Sequence, residues 1–165
     1  MSPGSRFHPT HIERSGSFTL PMAIRHAFPL FTPEGERAWV AGWDPEYLHP
    51  DHPSIAAGTV FRTAHKGEET LWLVLDYDPH TWTARYCRVT PGSRMGTVAV
   101  QCEAAGEGEA VVRVSYSLTS LTTAGNAVLH ALSPAAYAKM MEEWRELILA
   151  SPGADGHGRS PASST

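Results

Sequence analysis

At 165 residues, with 42% hydrophobic and 18% charged side chains, the chain has room for one globular domain with a core of its own. A formal charge of -4 and 13 scattered Lys and Arg residues argue against nucleic acid or an anionic membrane surface, which need a concentrated basic footprint. No apolar run approaches the roughly 20 residues that span a bilayer. The stretch "MSPGSRFHPTHIERSGS" lacks a signal-like apolar segment, so a cytoplasmic protein is expected.

In chain order, residues 1–10 read as a flexible N-terminus, and 11–20 as a first strand. "TLPMAIRHAFPLFTPEGERAWV" predicts two short helices, broken at Pro29 and restarted at Thr32. There Thr32 and Pro33 give an N-cap and first-turn signal, and Glu34 and Glu36 sit where the helix dipole favours negative charge. Gly42 to Pro53, dense in Pro and Asp, predicts a loop. Five runs rich in Val, Thr and aromatics follow: "GTVFRTAH", "TLWLVLDYD", "TWTARYCRVT", "RMGTVAVQCEA" and "EAVVRVSYSLT". The turn signals between them, "KGEE", "DPH", "PGS" and "AGEG", make them antiparallel neighbours. A helix then spans Ser133 to Ala150, capped by Ser133 and ended by Pro152. Tyr137, Met140, Met141, Trp144, Leu147 and Ile148 form its apolar stripe. The Pro, Gly and Ser rich tail 151–165 is expected to be disordered, which leaves a single domain over 11–150.

Centring each hairpin on its turn sets a register, and residues directly opposite share a face. On this basis Leu73 opposes both Phe61 and Tyr86, Tyr86 opposes Val98, and Ala84 opposes Val100. One choice for the last hairpin adds Val100 opposite Val114 and Val98 opposite Tyr116. Phe61, Leu71, Leu73, Tyr86, Arg88, Val98, Val100, Cys102, Val114 and Tyr116 then share an oily face. Arg62, Trp72, Asp76, Arg85, Cys87, Gln101 and Arg113 take the wet one. Cys87 and Cys102 fall on opposite faces, so no bridge between them is expected. The helical stripe needs an apolar partner, and the oily face is the only one large enough. The expected architecture is α+β: a curved antiparallel sheet wrapped around a long C-terminal helix, with two short helices after the first strand.

That order resembles the helix-grip fold of the START-like superfamily, which includes pollen allergens and polyketide cyclases/dehydratases. "FPLFTPEGERAWVAGWDPE", "GTVF", "DYDP", "RVTPGSRMGTVAV" and "LTSLTTAGNAVL" look like a bacterial branch filed as SRPBCC proteins, over roughly Ile12 to Leu149. The resemblance implies a cavity between sheet and C-terminal helix that holds an apolar or amphipathic small molecule.

Under that expectation Phe61, Leu73, Tyr86, Arg88, Val98, Val100, Val114, Tyr116, Tyr137, Met140, Met141 and Trp144 line the pocket, with Trp39 and Trp43 at its rim. Each has a plainer reading as core or edge packing. Arg88 on an oily face either snorkels from a strand end or orients a ligand, with Tyr86 and Tyr116 as hydroxyl partners. His49, Asp51 and His52 are ligand types for zinc but lack a further donor nearby, so a surface loop is expected and no metal or other cofactor. Asp76 and Asp78 read as turn residues. Neither cysteine has a histidine implied beside it, and GxSxG, HExxH, CxxC and phosphate-loop motifs are absent.

Three functions fit. The first is a binding protein for a lipid, polyketide or aromatic small molecule, as monomer or homodimer. The second is a cyclase/dehydratase-like enzyme using the same cavity, which would gain from a carboxylate or histidine on the oily face. The third is a protein-interaction adaptor of the chaperone-activator type, for which Trp72 on the wet face is the single hint. The binding protein is favoured.

Overall fold

The computed structural model describes residues 6–152. Residues 1–5 of the expected flexible N-terminus and 153–165 of the expected disordered tail lie outside them. Seven strands make one antiparallel sheet: β1 (His11–Leu20), β2 (Glu46–His49), β3 (Val60–His65), β4 (Glu68–Asp78), β5 (Thr83–Thr90), β6 (Arg94–Ala104) and β7 (Ala110–Ser120). Their spatial order is β1-β7-β6-β5-β4-β3-β2, so the first strand closes onto the last and the others follow as a meander. Just before β1 the Thr10 N–H donates to Ser120 Oγ at 2.7 Å and to Asn126 Oδ1 at 3.1 Å.

The segment after β1 is helical, but much of it is the more tightly wound 3-10 helix. An α-helical turn, α1 (Ile24–Ala27), runs straight into a 3-10 helix at Phe28–Phe31. Pro29 does not break it, because a residue in the first turn needs no N–H. The break comes at Thr32, which is extended and whose Oγ1 accepts from Gly35 N–H at 3.0 Å. A second 3-10 helix, Gly35–Ala38, follows. Gly35 lies so close to the preceding turn that an added Cβ would meet the Pro29 carbonyl oxygen at 1.9 Å. Only glycine lets the chain fold back this tightly.

The long helix α3 (Pro134–Ala150) starts at Ser133, whose Oγ accepts from Ala136 N–H at 3.1 Å. It buries Tyr137, Met141 and Ile148, while Leu147, expected on the same stripe, is 47% exposed. Two elements escaped the sequence. β2 lies within the expected Gly42–Pro53 loop and pairs with β3 as a short edge strand. The second helix, α2 (Thr123–Ala131), is capped by Thr122 Oγ1 accepting from Gly125 N–H at 3.0 Å.

The registers of the last two hairpins are as expected: Tyr86 opposes Val98, Ala84 opposes Val100, Val98 opposes Tyr116 and Val100 opposes Val114. The first two differ. The β3–β4 connection is a two-residue turn at Lys66 and Gly67, both at positive φ (51° and 79°), so Phe61 opposes Trp72 rather than Leu73. Between β4 and β5, a bulge between Val74 and Asp76 takes up one residue, and Val74 rather than Leu73 opposes Tyr86. A shift of one residue exchanges the faces. Leu73 therefore points outward, 36% exposed, and is not a lining residue; Trp72 points inward instead of outward.

Candidate functional site

A cavity of about 310 Å³ lies between the sheet, the Gly35–Ala38 segment and one side chain of α3. The strands supply Phe61 and Thr63 from β3, Trp72 from β4, Tyr86 and Arg88 from β5, Val98 and Val100 from β6, and Tyr116 from β7. The 3-10 segment and the loop after it supply Glu36, Trp39 and Trp43, and Trp144 enters from α3. Lining residues that are also exposed, among them Ala41, Gly42, Ala64, His65 and Glu68, mark the mouth between that loop and the β3–β4 turn.

Of the residues singled out from the sequence, Phe61, Tyr86, Arg88, Val98, Val100, Tyr116, Trp144, Trp39 and Trp43 come together on this cavity. Val114, Tyr137, Met140 and Met141 do not. Val114 and Met141 are core, Met140 packs half-buried against it, and Tyr137 donates its hydroxyl to the Val114 carbonyl. Most of α3 thus packs in the core, and Trp144 is the one residue that it gives to the cavity among the described residues. His49, Asp51 and His52 are on the exposed or half-exposed chain around β2, and His52 reaches only Asp51, at 3.4 Å. Among the described residues no three His, Cys, Asp or Glu side chains cluster as a metal site would require. Cys102 is buried, and burial pushes its thiol up to about 12.

Two aromatic sets stand in the wall. In one, Trp144 lies 5.3 Å from Trp39, 6.4 Å from Tyr116 and 6.5 Å from Phe31. In the other, Trp72 stacks on Phe61 at 5.8 Å and meets Trp43 at 5.9 Å and Tyr86 at 6.5 Å. Four of their polar atoms are held by the scaffold. Trp39 Nε1 donates to the Leu30 carbonyl and Trp43 Nε1 to the Pro33 carbonyl, each at 2.8 Å. Trp72 Nε1 donates to Thr63 Oγ1 at 3.0 Å, and the Tyr86 hydroxyl to the Phe31 carbonyl at 2.9 Å. Tyr86 therefore presents a ring to the cavity rather than a free hydroxyl.

Three polar side chains in this wall are not tied down. The Arg88 guanidinium lies over the Trp72 ring, 5.0 Å from its centre, and its buried Nε has no hydrogen-bond partner among the described residues. Burial lowers its pKa below the usual guanidinium value. The Tyr116 hydroxyl is raised by burial and makes no hydrogen bond among the described residues. Glu36 is half-buried, and the surface it keeps faces the cavity. Burial pushes its carboxyl up to about 8, against a weaker pull from Arg88, with which it makes no ion pair. The neighbouring Arg94 is different. It binds Glu68 through two hydrogen bonds of 2.9 and 3.2 Å and Ser93 Oγ at 2.9 Å, and these bonds hold Glu68 below the usual carboxylate range.

Glu36 is the residue that sequence reasoning missed. From the sequence it is read only as a residue placed where the helix dipole favours negative charge. The buried Pro33 and Trp39, just outside the 3-10 helix at either end, stand three residues from Glu36, the repeat at which side chains of such a helix eclipse. That pattern was present in the sequence and points its side chain inward.

No family model and no curated protein matches the sequence. Solved structures do. Norcoclaurine synthase from Thalictrum flavum, in complex with dopamine and hydroxybenzaldehyde, is 11% identical over 86% of this chain and 88% of its own, with a TM-score of 0.60. Ara h 8.0201 is 15% identical over 86% of this chain and 100% of its own, TM-score 0.59. A hypothetical protein from Helicobacter pylori is 13% identical over 84% of this chain and 86% of its own, TM-score 0.65. At such identities the likeness concerns architecture: this chain is an α+β protein of the helix-grip fold.

Proposed function

We propose that the chain binds an apolar or amphipathic small molecule, of lipid, polyketide or aromatic type, in the cavity beneath Trp39 and Trp144. The aromatic-walled space of about 310 Å³ carries this reading. It lies at the small end of the range of about 300–1,000 Å³ typical of small-molecule pockets. The solved norcoclaurine synthase, which has the same fold, was captured with two small aromatic molecules. The test is titration with N-phenyl-1-naphthylamine, a neutral dye whose fluorescence rises in apolar surroundings. Saturable binding at one site, weakened at least several-fold in folded Trp144→Ala, is the expected result. Absence of saturable binding, or identical binding by the variant, would remove the reading.

Glu36 favours a second reading, a cyclase/dehydratase-like enzyme, because a carboxyl that ionises near neutral pH can take up and return a proton. Its test is loss of water from a model β-hydroxy ketone, 4-hydroxy-4-phenylbutan-2-one, to the enone, followed by absorbance. Turnover by the wild type and none by Glu36→Gln would support it; equal rates would not. The adaptor has lost its hint, since Trp72 lies inside the cavity.

A further inference from the structure

We propose that the cavity's ligand is a small planar monoanion, a carboxylate on an aromatic or polyunsaturated body, with its charged head against Arg88. This rests on the binding reading above and deepens it. A guanidinium removed from water needs a carboxylate, phosphate or other acceptor. Among the described residues Arg88 has none: its Nε is buried without a hydrogen-bond partner, and its guanidinium lies against the face of Trp72. The ionised carboxylate nearby, Glu68, is already held by Arg94. Glu36, which does face Arg88, keeps its proton up to a pH of about 8. At neutral pH the site therefore presents one unbalanced positive charge, together with two neutral groups, the Glu36 carboxyl and the Tyr116 hydroxyl, that can donate hydrogen bonds to an anion.

Among the described residues Arg88 is the one arginine of the wall without an ion pair, which matches a single charge, since the second, Arg94, is spent on Glu68. The body is planar because aromatic rings, Trp39 and Trp144 among them, make up this side of the wall, and a flat body gains most from stacking against them. The groups facing Glu36 also fix a sign. These are Arg88 and Tyr86 from β5, Tyr116 from β7, and the Glu68–Arg94 pair bridging β4 and β6, with His65 of β3 at the mouth. When Glu36 ionises, its own charge competes with the ligand carboxylate for Arg88. Affinity for the anion must fall as pH rises through about 8, and the loss must vanish when Glu36 is replaced by its uncharged isostere.

Isothermal titration with 2-naphthoate and its neutral isostere 2-naphthamide tests this. Wild type should bind naphthoate at least about ten-fold more tightly than naphthamide near pH 6.5, and Arg88→Gln should abolish the difference. Between pH 6.5 and 9.5 naphthoate affinity should drop about ten-fold or more in wild type and stay level in Glu36→Gln, although the ligand is ionised throughout. Equal binding of the two probes by wild type, or an anion preference that persists in Arg88→Gln, overturns the proposal. So does failure of naphthoate to bind while N-phenyl-1-naphthylamine still does, and in that case the broader binding reading stands. Failure of all three probes removes both.

Discussion

Glu36 enters the cavity because Gly35 lets the chain turn back against Pro29 and the three-residue repeat of the 3-10 helix then aims its side chain inward. Burial has a consequence for stability. The folded chain holds this proton up to about pH 8, whereas a free glutamate releases it near 4.5. Between those values the folded state binds more protons than the unfolded one, so stability falls as pH rises across that window. The effect is on the order of a few kcal/mol. Glu36→Gln should flatten the slope of urea-unfolding stability between about pH 5 and 8 and make the variant the more stable protein near pH 8.5. A slope unchanged by the substitution would place the carboxyl in water. Arg88 was legible from strand alternation, because regular β-structure assigns a face by counting. Glu36 was not, because its three-residue spacing to the buried Pro33 and Trp39 carries meaning only once the segment is known to be a 3-10 helix.

At the scale of elements, what could be read depended on the turns. β5, β6 and β7 pair in the expected register because their connections leave both strands unbulged. β4 does not. Its two-residue turn on one side and its bulge on the other each move the count by one, which exchanges Leu73 with Trp72. This gives a sharp expectation. Leu73→Ser should change stability by less than about 1 kcal/mol, as surface substitutions do. Val74→Ala, at 1% exposed, should cost roughly 1–3 kcal/mol by denaturant titration. The reverse order would restore the register read from the sequence. α3 was legible at its start, where Ser133 caps the first turn as expected. Ser133→Ala should lower stability by about 1 kcal/mol, measured as a fall in denaturation midpoint at unchanged slope. α2 and β2 were missed because nine and four residues carry too little periodicity to stand out.

For the whole molecule, the sheet and the last helix were legible together, since an oily face and an amphipathic stripe each lacked any other partner. The position of the cavity was not. It depends on Tyr137 and Met141 being packed into the core while Trp39, Trp43 and Trp144 line the open space. A guest that binds only the folded chain must stabilise it by mass action. N-phenyl-1-naphthylamine at about 100 times its dissociation constant should add about 2.7 kcal/mol, a rise in Tm of roughly 5–10 °C. Under the same conditions Trp144→Ala should show a much smaller rise.

Four of the five tryptophans, Trp39, Trp43, Trp72 and Trp144, surround one small space, and only Trp82 sits apart from it. The intrinsic ultraviolet emission of the protein is therefore concentrated where a visitor would settle. Any chromophore entering there would collect excitation from several indoles at once, so that occupancy can be followed as quenching in the unmodified protein, without an attached label.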